Sequence, residues 1–181
     1  MTRRLFLKVA AGALTMAALP EGGLAALSQP EERFLWLRRQ GISDELKMIY
    51  FKDGEIVKSA YDQFCDLARD LRADATAPMD PNLMHHLFYV QQRLIGMGGP
   101  DFIKPITILS GYRTPQTNNS TEGAAKGSFH LKGQAIDFAY AQMDGAFLGV
   151  LAMQLQAGGV GFYRGRDFIH IDTGYVRSWT H

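Results

Sequence analysis

Asp167-Phe168-Ile169-His170-Ile171-Asp172 is a segment that a folded chain can accommodate in few ways. Read as a strand, it places Phe168, His170 and Asp172 on one face and Ile169 with Ile171 on the other. The isoleucines call for a core, and burying a histidine or an aspartate beside one without a partner is costly. Ser128-Phe129-His130-Leu131-Lys132-Gly133-Gln134-Ala135-Ile136-Asp137 offers the partners. Gly133 lets the backbone reverse, so His130 and Asp137 can face each other across a turn. His130, Asp137 and His170 then form a set of two imidazoles and one carboxylate suited to Zn²⁺. Three protein ligands leave a position for water, as in catalytic zinc sites. On residue types alone a second reading stands beside it. In that reading His130 is an exposed loop residue, and His170 and Asp172 are hydrogen-bonded strand residues.

The remainder of the chain supplies an ordinary core. Of its 181 residues, 46% are apolar and 20% charged, enough to bury a core without disulfide staples. Cys65 is the sole cysteine and reads as a small packed side chain. A formal charge of +1, with no basic block beyond the N-terminus, argues against a nucleic-acid binder. Alternation predicts strands at 34–37, 46–51 and 56–58, with Asp53-Gly54 as a hairpin turn. Ser59 and Asp62 predict a helix opened by a capping box, with Phe64, Leu67, Ala68 and Leu71 buried. Asp80-Pro81 starts a second helix with the stripe Leu83, Met84, Leu87, Phe88, Leu94 and Ile95, ended by Gly98-Gly99. His85 and His86, adjacent on that helix, diverge by about 100° and read as solvated or flanking.

A strand at 106–109 runs into Ser110-Gly111-Tyr112-Arg113-Thr114-Pro115, and residues 116–127 read as a polar active-site lid. A helix from Asp144 to Gln156 precedes strands at 160–163 and 168–172, which pair across Arg164-Gly165-Arg166. His181 reads as a mobile end. The order of elements predicts an α+β fold, a small antiparallel sheet with the zinc site on its face, packed by about three helices.

Residues 1–26 read as an export signal rather than as part of the domain at 27–181. Arg3-Arg4-Leu5-Phe6-Leu7-Lys8 precedes an Ala-rich apolar run from Val9 to Leu19. That run is shorter than the ~20 residues of a membrane span, so processing without stable membrane insertion is expected. The paired arginines resemble a twin-arginine signal, implying a bacterial periplasmic protein.

Ser128-x-His130-x-x-Gly133-x-Ala135-x-Asp137 with a later strand histidine resembles the zinc D-Ala-D-Ala metallopeptidases. Their superfamily takes its name from lysostaphin, D-Ala-D-Ala metallopeptidases and sonic hedgehog. Within it the chain is most similar to the YcbK (MepK) type of murein endopeptidase. The likeness extends over Asp80-Pro81, Gln91-Gln92-Arg93-Leu94, Ser110 to Pro115, Gly158 to Tyr163, Phe168 to Gly174 and Trp179. It implies His130, Asp137 and His170 as Zn²⁺ ligands and places Arg113 beside the metal. There a guanidinium could polarise the scissile carbonyl or hold a substrate carboxylate. The implied activity is cleavage of an amide in peptidoglycan stem peptides or crossbridges, by water activated on zinc. A monomer with no nucleic-acid partner is expected.

For the general base the sequence leaves two candidates. Asp167, three residues before His170, stands where several relatives carry an acid; Asp172 shares the strand face of His170 and could instead orient that ligand. Asp167 is the preferred of the two. The competing functional reading is a non-catalytic, zinc-stabilised wall-binding module. A weaker one is an amidase acting on another exported peptide.

Overall fold

A computed structural model describes residues 32–99, 103–141 and 143–181. The export-signal segment therefore lies outside the described residues. Strands β1 (Glu32–Arg39), β2 (Glu45–Lys52) and β3 (Glu55–Ile56) are followed by helices α1 (Lys58–Leu67) and α2 (Asn82–Gly98). Next come β4 (Ile106–Ser110), the short helix α3 (Pro115–Asn119), a 3-10 turn at Phe129–Lys132 and β5 (Ala135–Tyr140). Helix α4 (Gly145–Met153) and strands β6 (Gly159–Phe162), β7 (Ile169–Asp172) and β8 (Arg177–Thr180) complete the chain.

The class is α+β. All strands lie in one eight-stranded sheet ordered β3-β2-β1-β4-β5-β7-β6-β8. The sheet is larger than the sequence suggests and it is mixed: β1 runs parallel to β4, and β6 runs parallel to β8. Helices α1 and α2 intervene between β1–β3 and β4, so the chain returns beside β1 in the same direction. Leu35, Leu37, Ile108, Ile136, Phe138, Ile169 and Ile171 point from the sheet into one cluster with Phe64, Leu83, Leu87 and Leu148 from the helices. Burying each such side chain contributes about 1.5–3 kcal/mol. Gln91 of α2 adds a polar clamp, its amide accepting from Trp36 N at 3.0 Å and donating to Phe34 O at 2.8 Å.

Local chemistry departs from the sequence reading at four points. Helix α1 has no side-chain cap, because it starts earlier than expected, with Val57 at the N-cap and Ser59 inside the first turn, and Asp62 pairs with Lys58 at 2.6 Å. His86 is buried on α2, whereas His85 is half-buried at its flank, with Tyr50 Oη 2.9 Å from its Nδ1. The polar stretch after Arg113 starts with α3, capped by the Thr114 hydroxyl at 3.2 Å from Thr117 N. His181 is tied down, donating to Phe162 O at 2.8 Å and accepting from Arg164 N at 3.1 Å, because the unforeseen strand β8 carries it along β6.

Gly133 has a left-handed φ of 66°, and a Cβ there would come within 2.3 Å of Pro78 O. Gly123 has a similar φ of 72° with nothing within 4 Å. Gly123→Ala should therefore cost about 1 kcal/mol from backbone conformation alone. Gly133→Ala adds overpacking against a backbone and should cost at least about 2 kcal/mol. Denaturant unfolding of the two variants checks this; equal losses would refute it.

Candidate metal centre

The sheet register assembles this centre. Asp137 on β5 pairs directly with His170 on β7, which faces Gly161 on β6, which in turn faces Trp179 on β8. Two residues along the strands, on the same face, the neighbours read Ala135, Asp172, Gly159 and Arg177. His130 enters from the 3-10 turn, whose first residue is capped by the Ser128 hydroxyl 3.3 Å from His130 N. The turn stops at the left-handed Gly133, and the chain then enters β5 with Asp137 facing His130.

Three ligand-type atoms meet there. His130 Nε2 lies 3.2 Å from Asp137 Oδ1 and 3.2 Å from His170 Nδ1, and His170 Nδ1 lies 2.9 Å from Asp137 Oδ1. His130, Asp137 and His170 are 2%, 5% and 6% exposed, so little solvent screens them. The outward nitrogen of each imidazole is already engaged: His130 Nδ1 lies 2.6 Å from Gly111 O, and His170 Nε2 lies 3.1 Å from Asp172 Oδ2. A carbonyl and a carboxylate can only accept, so with the N–H of each neutral ring turned outward to them, Nε2 of His130 and Nδ1 of His170 are left free to face a cation. Three lone pairs then converge, which a cation relieves. Tetrahedral zinc with bonds of about 2.0–2.2 Å sets its ligand atoms roughly 3.3 Å apart, close to the spacing found. The residues present fit the ion.

Charges around the cluster follow the same logic. Burial opposes ionisation of Asp137, but His130 and His170 outweigh it and hold the carboxyl well below the usual carboxylate range. Burial likewise disfavours charge on His170, yet Asp137 and Asp172 hold its pKa above the ordinary imidazole value. The cluster attracts positive charge. Arg113 donates to Asp137 Oδ2 and, through Nε at 2.8 Å, to Ser110 Oγ, so its guanidinium stands beside the Asp137 carboxylate.

The ligand histidines open into a cleft of about 260 Å³ bordered by Arg113, Phe129, Tyr163, Trp179 and the loop at 123–127. Tyr163 stacks between Phe168 at 4.6 Å and His181 at 5.3 Å between ring centroids. Its phenol is pushed up to about 12, first by burial and then by Asp137, with Arg113 opposing. It stays protonated at any physiological pH.

Neither acidic candidate for the base stands in this cleft. Asp167 is exposed and borders a separate hollow with Arg38 and Thr107. It sits at a bend before β7, and Phe168 beside it stacks on Tyr163. Asp172 shares the ligand's strand face but is fully buried on the far side of the imidazole. Its Oδ1 accepts from Gly159 N, Gly174 N and Arg177 at 2.9–3.1 Å, and its Oδ2 accepts from Arg177 at 2.7 Å as well as from His170. Every lone pair of that carboxylate is engaged. Among the described residues, no Asp or Glu lines the cleft.

The sequence reading did not find Arg177, Tyr163 or the Gly111 carbonyl. A signal for Arg177 was available in Gly159-Val160-Gly161, alternating glycines that leave one strand face bare for side chains arriving from a neighbour.

Residues 27–179 match the family described as peptidoglycan L,D-endopeptidase MepK. The chain is 35% identical to the peptidoglycan L,D-endopeptidase MepK of Escherichia coli (strain K12) over 181 residues, covering 98% of this chain and 96% of that one. The MepK of Shigella flexneri matches with the same identity and coverage. A probable peptidoglycan L,D-endopeptidase MepK of Haemophilus influenzae is 34% identical over 186 residues, with 98% and 95% covered. With a metal-type triad at the centre of the matched region, the chain belongs to the MepK family of peptidases.

Proposed function

We propose that this protein is a zinc-dependent peptidoglycan L,D-endopeptidase, exported by the twin-arginine route to the periplasm and acting there as a monomer on murein stem peptides or crossbridges. The observation that supports it best is the convergence of His130 Nε2, Asp137 Oδ1 and His170 Nδ1 within 2.9–3.2 Å at the mouth of a cleft. Family membership supplies the reaction class and the substrate. The Arg3-Arg4 leader and the apolar run after it supply the location. Among the described residues no helix is long and apolar enough to cross a membrane.

His130, Asp137 and His170 hold the ion, and the hydrogen bonds to Gly111 O and Asp172 keep both imidazoles turned toward it. When bound, the ion supplies Lewis acidity, polarising an amide carbonyl and lowering the pKa of water toward ~7. Arg113 donates to the Asp137 carboxylate and stands at the cleft wall, where its guanidinium can stabilise negative charge developing on the carbonyl oxygen. Tyr163 presents a protonated phenol to the same space and can donate to substrate. Phe129 and Trp179 give the peptide apolar walls. Asp167, outside the cleft, has no role in this scheme, and Asp172 orients His170 rather than taking a proton.

Two outcomes are expected. Zn²⁺-loaded protein incubated with purified crosslinked muropeptides should release products that mass spectrometry identifies as cut at an L,D peptide bond. Chelation should abolish the cleavage and added Zn²⁺ should restore it; intact muropeptides under all conditions would instead favour a wall-binding module. Asp167→Ala should keep turnover within about threefold, while His130→Ala, which removes a ligand, should lose at least ~100-fold of it together with bound zinc. A loss with Asp167→Ala as deep as that with His130→Ala would reinstate Asp167 as the base.

A further inference from the structure

Strand β8 contributes no ligand, yet two of its side chains reach across β6 to the centre. They can do so because β6 presents glycines there. A Cβ at Gly159 would lie 2.2 Å from Arg177 Nη1 and 2.5 Å from Asp172 Oδ2, and one at Gly161 would lie 2.7 Å from the Trp179 ring. The space above the two glycines is filled by Arg177 and Trp179 leaning in from the sheet edge.

We infer that Arg177 is a positioning residue of the metal centre, holding Asp172 so that Asp172 holds His170 with Nδ1 toward the ion. The inference rests on the proposal that His170 is a metal ligand and deepens it. Arg177 grips both oxygens of Asp172, at 2.9 and 2.7 Å, in the planar two-pronged geometry available to a guanidinium but not to an ammonium. Asp172 is fully buried, and its remaining donors are Gly159 N, Gly174 N and His170 Nε2. Arg177 is therefore the side chain whose fixed charge balances that carboxylate. Without it Asp172 would turn, hydrate or take a proton, and each change weakens its hold on His170 Nε2–H.

The arginine is itself fixed from several sides. Its guanidinium carbon lies 5.1 Å from the Phe129 ring centroid and 4.7 Å from those of Tyr175 and Trp179, and Nη1 donates to Tyr175 O at 3.1 Å. Trp179 also packs against the His170 ring at 5.2 Å. Edge strand, aspartate and ligand form one continuous chain of contacts.

The test uses the full chain and Zn²⁺, with affinity measured by chelator competition and the His170 ring tautomer read from imidazole ¹⁵N shifts. Arg177→Met and Asp172→Asn are each expected to weaken Zn²⁺ binding by roughly 10–100-fold and to admit the other His170 tautomer. The double variant should lose no more than the worse single, because both act through one path. Ser178→Ala, at an exposed neighbouring position, should bind as the wild type does. If Arg177→Met does not fold, Arg177→Lys decides: a loss of threefold or more supports the role, and a smaller one overturns it. Also overturning it are an Arg177→Met chain with unchanged affinity and tautomer, additive losses in the double variant, or a raised KM with zinc affinity intact. A wild-type chain that binds no Zn²⁺ would defeat the metal reading itself, whereas wild type and variants binding alike would defeat only the role of Arg177.

Discussion

Three lone pairs aimed at one point repel one another, and hydrogen bonds made behind each ligand hold them together in this protein. His130 is turned inward by Gly111 O, His170 by Asp172, and Asp137 by Arg113. The restraints come from two separate pieces of chain: the loop between β4 and α3 supplies Gly111 and Arg113, and the far end of β7, with β8 behind it, supplies Asp172. The centre is thus a property of the assembled sheet rather than of a local motif. A shift of one residue in any of these strands would turn a ligand or its restraint to the other face.

The two rows across β5, β7, β6 and β8 show how a sheet can build such a cluster without a cavity. In both, a glycine on β6 sits between larger side chains on β7 and β8: Asp137, His170, Gly161, Trp179 in one row and Ala135, Asp172, Gly159, Arg177 in the next. The small residues make room for neighbours to lean over them. Stability and site geometry therefore depend on the same positions. The opposite face carries Ile136, Phe138, Ile169 and Ile171 into the helices, so the strands that present the ligands are anchored by the best-buried side chains of the protein.

How much of this the sequence discloses depends on how local the causes are. Period-two alternation located β7, and Gly133 disclosed the reversal that brings His130 toward Asp137, because each depends on a few adjacent residues. The α+β class followed from the order of elements, but parallel pairing of β1 with β4 did not, since it is settled by where the intervening helices dock. Strand β8 was not foreseen: four polar or aromatic residues have no strand signature until β6 offers them hydrogen bonds. His86 was misread as solvated because one helix face was assumed to be dry, whereas α2 is covered on more than its apolar stripe. Asp167 was favoured by resemblance, because several relatives carry an acid at that position, whereas in this fold it borders a separate hollow from the one that His130 and His170 line.

The charge balance of the centre shows why these pairings matter for chemistry as well as for shape. Asp172 is offset by Arg177, and Asp137 by Arg113. Holding a cation would require both imidazoles in their neutral forms, with the N–H of each turned toward Gly111 O or Asp172. A divalent ion held there would find its one anionic ligand already shared with a guanidinium, so its charge would be little diminished by its own surroundings. In a site where His130, Asp137 and His170 are each more than nine-tenths buried, weak screening keeps that charge effective at the cleft. His130, Asp137 and His170 would thus hold an ion whose Lewis acidity toward the oxygen of an amide or of water is preserved. Arg113 would in this way sharpen the electrophile through Asp137 while standing ready at the cleft wall, so that one side chain serves both the metal and the substrate.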